Sequence, residues 1–124
     1  MEQILARTIA AFNDRRFGEA AAIAAEGCQD VQGRDELFWF GLQEACEGFD
    51  MLVAGKLHGA ETELVAAMEK LRNFGYQYRN FEITAALAGI RLALEEIRAV
   101  RQRHRKAFDM TLLPTFRLAA KADL

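Results

Sequence analysis

Apolar residues recur at helical spacing along almost the whole chain, and proline occurs once, at Pro114. Proline costs about 3 kcal/mol inside a helix, so a long proline-free chain rich in alanine and leucine is free to be helical. No run alternates strictly as a half-buried strand would. The strongest stripe is Phe38, Leu42, Ala45, Phe49 and Leu52, whose 4-3-4-3 steps keep to one side of a helix. The spacing predicts helices over about 2–13, 16–28, 34–54, 57–73 and 80–109. Asn13 and Asp14 break the first, Gly27 and QDVQGRD end the second, Gly55 caps the third, and Asn73 and Gly75 stop the fourth. Asp35 serves as N-cap or first-turn acid of the third helix. GYQYRN reads as a loop, and LLPTFRL (112–118) as an apolar tail that docks on the domain or on a partner. Short connections make neighbours antiparallel. The expected fold is all-α: a compact bundle of about five helices built from antiparallel helical hairpins, one domain over 1–124.

At 124 residues and 52% hydrophobic content, one domain with its own core is expected. A net charge of −2 gives no whole-molecule signal for a polyanion, which argues against a nucleic-acid partner. Cys28 and Cys46 form no metal or redox spacing and read as buried free thiols. Residues 1–20 carry six charged side chains and no apolar leader segment. No apolar run approaches the roughly 20 residues of a membrane span. A cytoplasmic protein with no membrane partner and no cofactor is the expectation.

Three segments carry a family likeness. FNDRRFGEA opens the second helix, GLQEACEGFD lies in the third, and GKLHGAETELVAAMEKL spans the fourth. Together, residues 12–71 resemble domain of unknown function 309, a small all-α family. Its pattern reads "FN…G…F.EAHE..E..W", then "GLIQ.A.A..H", then "GN..GA..L...A...L". Gly41, Gly55, Gly59 and Ala60 are the most specific matches, and they suit close-packing and helix-ending roles. The resemblance implies that this chain is a divergent member. It has Ala21, Ala22 and Ala25 where the family has His-Glu and a second Glu, Cys28 where the family has an aromatic, and Asp50 where it has His. The groups that would make a metal or acid–base site are missing in that form. The family's function is not established, so the likeness names no reaction.

Several residues remain candidates. Glu36, Gln43, Glu47 and Asp50 share one stripe of the third helix. They form either an acidic pocket walled by the alanines, with Asp50 and Glu47 as metal ligands or a base, or a solvated or partner-facing stripe. Glu19 and Glu26 either join that pocket or serve as a first-turn acid and a surface residue. His58 and His104 lie too far apart to pair as ligands. RAVRQRHRK (98–106) is basic, and Arg91, Arg98 and Arg105 share a heptad face. This patch suits phosphate contact, a solvated helix end, or pairing with the acidic stripe. Phe38, Trp39 and Phe40 cannot all face one core. Trp39, with Phe116 and Leu113 of the tail, is a candidate interface residue, as are Tyr76 and Tyr78, with core burial the alternative reading of the aromatics. No phosphate loop, nucleophile elbow or supported catalytic triad is present.

The leading expectation is a non-enzymatic helical interaction module, self-associating or bound to another protein. The alternative is a metal-binding protein or enzyme using Asp50 and Glu47. A third is an RNA-binding accessory protein using the basic fifth helix.

Overall fold

A computed structural model describes residues 1–119; residues 120–124, the end of the domain expected over 1–124, lie outside the described residues. Five helices dominate: α1 Glu2–Asn13, α2 Phe17–Gly27, α3 Arg34–Val53, α4 Leu57–Leu71 and α5 Ile83–Arg101. The described residues are 70% helical, and the fold is all-α apart from one tiny sheet. Consecutive helices pack on one another, and α3 packs against both α2 and α4.

The α1–α2 and α3–α4 connections are the same turn, forty residues apart. Arg15 N–H donates to Phe12 O and Arg16 N–H to Ala11 O; Gly55 N–H donates to Leu52 O and Lys56 N–H to Met51 O. These paired bonds are the Schellman pattern, with the left-handed residue just past the helix end. That residue is Arg15 (φ 64°) in one turn and Gly55 (φ 81°) in the other. The next residue, Arg16 or Lys56, then caps the following helix with nearly identical backbone angles. The molecule is therefore two equivalent hairpins laid side by side, followed by α5. The helix α5 ends in the same motif, at Arg103 (φ 63°) and His104, but among the described residues no α-helix returns from it.

The first four helices lie within two residues of their expected bounds, whereas α5 is shorter at both ends than 80–109. Its apolar stripe stops at Ile97, and 101–107 hold charged and polar residues with one alanine, so nothing holds a longer helix to the core. At the other end, 77–82 form a β-hairpin where a loop up to Asn80 and the start of the fifth helix were expected. Its strands are β1 Gln77–Tyr78 and β2 Phe81–Glu82. Arg79 (φ 50°) and Asn80 (φ 65°) make the positive-φ pair that suits a two-residue hairpin. Asp35 at the start of α3 fixes this hairpin: Tyr78 Oη donates to it at 2.5 Å and Arg79 grips both its oxygens at 2.9 and 2.6 Å.

The core stripe of α3 is buried as its spacing implies: Phe38, Leu42, Ala45, Phe49 and Leu52 are 1% exposed or less. Because α2 and α4 flank it, α3 buries two further strips. Gly41 lies against Leu71 and Lys70, and Gly48 against Leu64. Trp39 faces α2, where its ring sits on Gly27.

Trp39 is thus a core residue with no exposed surface, and its assignment to an interface is corrected. The ring that points outward is Phe40, which is 40% exposed.

The tail docks on its own domain. Phe116 is buried and stacks on Phe12 with centroids 3.8 Å apart. Asn13 holds the Phe116 backbone in both directions: its Nδ2 donates to Phe116 O at 2.9 Å and its Oδ1 accepts from Phe116 N–H at 2.8 Å. Arg15 donates to Leu113 O at 2.9 Å and Pro114 O at 2.5 Å. Pro114 covers Gly89 of α5. Leu118 then bridges Phe81 beside β2. Phe116 is therefore core, not interface, and Leu113 is a half-buried part of the same dock. The physical reason is the aromatic cluster of Phe12, Phe17, Phe49 and Phe81, which the tail completes.

Candidate functional site

The polar stripe of α3 runs along α2. Gly18, Ala21, Ala25 and Cys28 share one side of α2 at 3-4-3 spacing. The two ends of that strip meet α3. A methyl group at Gly18 would lie 3.3 Å from Asp50 Oδ1, and Cys28 Sγ reaches Gln43 Oε1 at 3.2 Å. The alanine positions therefore do lie along Gln43, Glu47 and Asp50.

The stripe is tied up in a structural network. Gln43 Nε2 donates to Glu47 Oε1 at 3.0 Å. Glu47 also meets Glu63 of α4, and Glu44 pairs with Lys70 of α4 at 2.5 Å. Burial, then the charges of Glu47 and Glu44, push the Glu63 carboxyl above its ordinary range, against the pull of Lys70. Burial, then Glu36 and Glu47, likewise raise the Cys28 thiol. Burial dominates at Cys46 too, whose thiol is raised much further. Neither thiol is activated as a nucleophile, since that requires a depressed pKa.

Among the described residues, no group of three or more His, Cys, Asp or Glu side chains is placed to hold a metal ion. Asp50 is exposed beside Gly18 while Glu47 turns toward Gln43 and Glu63, so these two do not gather the further ligands a centre needs. Glu36 is exposed at the far end of α3. Glu63 and Lys70, absent from the sequence candidates, are seven residues apart; that spacing places both on one side of α4 and could have marked them.

The basic patch is not one surface. Arg98 Nε binds Glu61 of α4 at 2.8 Å, and Arg101 binds the same carboxylate. Arg105, just past the end of α5, pairs back with Glu96 of that helix at 3.5 Å. Where pairing with the α3 stripe was a possibility, the partners come from α4 and α5, because α5 packs on α4. Arg91 stands apart. It is exposed and has no ion pair or hydrogen bond among the described residues. His58 and His104 lie on α4 and beyond α5, apart from any cluster. Glu19 and Glu26 pair with Arg16 and Arg7 at the surface. Tyr76 is 75% exposed, whereas Tyr78 is committed to Asp35.

Arg91 lines a groove of about 430 Å³ between α4 and α5. Val65, Met68 and Leu94 give it an apolar floor. Glu69, Arg72 and Glu95 stand around it with Arg91, and all four are exposed. None of the four side chains has an ion pair or hydrogen bond among the described residues. Next to Arg91, Leu92 is 45% exposed. Among the described residues no helix is long and apolar enough to cross a membrane. No family model, curated protein or solved structure matches the chain.

Proposed function

We propose that the protein is a non-enzymatic interaction module that presents the α4–α5 groove to a protein partner. One observation carries this reading: an apolar floor ringed by five charged side chains, four of which have no partner among the described residues, while Arg98 is held by Glu61. Helical hairpins laid side by side build extended surfaces, and stacked-hairpin proteins bind partners on such surfaces. An apolar centre with a polar rim is the anatomy of a protein contact. Two free thiols fit a reducing compartment, so the cytoplasm is the setting proposed with it. Membership in domain of unknown function 309 belongs to the same proposal. It is supported by Gly55 at φ 81° ending α3, by Gly41 and Gly59 lying close against Leu71 and Met51, and by fully buried Ala60.

The test is site-specific photo-cross-linking in cells, with a benzophenone side chain at position 92 and, as control, at exposed position 22 of α2. A discrete protein adduct from position 92, absent from position 22, is expected. No adduct from position 92 would refute the reading.

A further inference from the structure

We propose that the α4–α5 groove takes a second copy of this chain, forming a two-fold dimer across α5. The inference rests on the reading of the groove as a protein-binding surface and names the occupant.

The argument is charge complementarity. Of the chain's arginines, only Arg72, Arg91 and Arg103 lack an ion pair, hydrogen bond or ring contact among the described residues. Two of these three line one groove, together with two glutamates in the same condition. A partner of one charge sign would satisfy half of them and be repelled by the other half. A surface carrying both signs side by side is complementary to a copy of itself, provided the symmetry brings unlike charges together. Isologous two-fold contact, the commonest oligomer symmetry, does so.

The register on α5 permits it. Ala88, Arg91, Leu92, Glu95 and Arg98 form the exposed strip of that helix. In an antiparallel pair of α5 helices with the two-fold axis at the level of Ala93, Arg91 stands level with Glu95 of the second copy. The same contact recurs on the other side by symmetry. Leu92, one residue from the axis and 45% exposed, stands on the same flank of the contact as the second copy's Leu92. The two half-exposed leucines thus cover one another, beside two equivalent ion pairs. Within one chain, Arg91 and Glu95 are a helical i,i+4 pair that does not close. Both side chains are left available to a facing helix.

The test is sedimentation equilibrium of the full chain from low micromolar to near-millimolar protein, for wild type, Arg91→Glu, Glu95→Arg and an equimolar mixture of the two variants. Wild type is expected to form a dimer that weakens with salt. Each variant alone places like charges opposite one another twice, raising the dimer Kd by at least about tenfold. The mixture puts two glutamates opposite two arginines, and association returns. Circular dichroism checks that both exposed substitutions leave the helices intact. Leu92→Asp is a further variant expected to abolish the dimer without changing net complementarity elsewhere. A wild type that stays monomeric throughout, or a mixture that fails to associate, overturns the dimer. A monomeric wild type that still cross-links another protein from position 92 removes only the second copy as occupant. A monomer with no adduct removes the groove reading as well.

Discussion

The indole of Trp39 lies directly on Gly27: a methyl group added there would come within 2.3 Å of Cε3 and 2.4 Å of Cδ2. The contact lets α2 approach α3 closely and shuts the ring away from solvent. It also leaves Trp39 Nε1 buried without a hydrogen-bond partner among the described residues. Gly27→Ala is therefore expected to destabilise the fold by roughly 1–3 kcal/mol, with a fall in Tm of several degrees. Adding Trp39→Phe, which narrows the ring and removes the orphaned N–H, is expected to recover part of that loss, so the double variant is milder than the sum of the singles. Urea unfolding of the four proteins measures this; strict additivity would contradict the contact.

The tail is a structural element of the domain. Truncating Phe116 to alanine removes the ring stacked on Phe12, and is expected to cost about 3–5 kcal/mol. Asn13→Ala leaves the Phe116 N–H and carbonyl without their partner, at about 1–3 kcal/mol. Equilibrium unfolding should register both losses. Oligomer size of the protein that remains folded should not change, as it would if the tail were a contact between copies.

The same Schellman turn is built with glycine at Gly55 but with arginine at Arg15 and Arg103. Left-handed backbone costs a non-glycine residue about 1–2 kcal/mol. Arg103 has no side-chain partner among the described residues. Arg103→Gly is expected to stabilise the chain by about 1 kcal/mol. Arg15→Gly relieves the same backbone but loses the bonds to Leu113 O and Pro114 O, so its gain is smaller or negative. Thermal melts compare them directly, and an equal gain from both would show that Arg15 does not hold the tail.

Glu63 carries a pH dependence with a definite sign. Its folded pKa is raised, first by burial and then by Glu47 and Glu44. Stability tied to this group is therefore fully present below the unfolded glutamate value, about pH 4.3, and is lost as pH rises through the folded value. Glu63→Gln is expected to match wild type in acid and to exceed it at neutral pH. Stability curves across that range test it, and a difference independent of pH would contradict the shift.

Much of this architecture is legible in the residues themselves. The stripe from Phe38 to Leu52 declares α3, and Gly55 and Asn13-Asp14 declare the turns, because helix periodicity and stop residues are local signals. What is not legible depends on neighbours. Trp39 is buried because α2 offers it a glycine twelve residues earlier in the chain, a pairing that the periodicity of α3 alone does not contain. The hairpin at 77–82 is too short for alternation to show, and it is held by Asp35, far upstream. The end of α5 is set by where the apolar stripe runs out at Ile97, not by a breaker residue. The acidic stripe was legible as a stripe. That Glu63 and Lys70 of α4 complete it depended on how two helices face one another.

Thermal unfolding decides most directly whether this helical stack works through a protein surface or through the acidic stripe of α3. The melt is run at several protein concentrations, first in EDTA and then with a panel of divalent metals. A species that binds only the folded chain raises Tm by mass action. With the α4–α5 groove as the working surface, Tm climbs with protein concentration and is unmoved by metal. A rise produced by one particular metal, and lost in Asp50→Asn, would contradict that and make the α3 stripe the site.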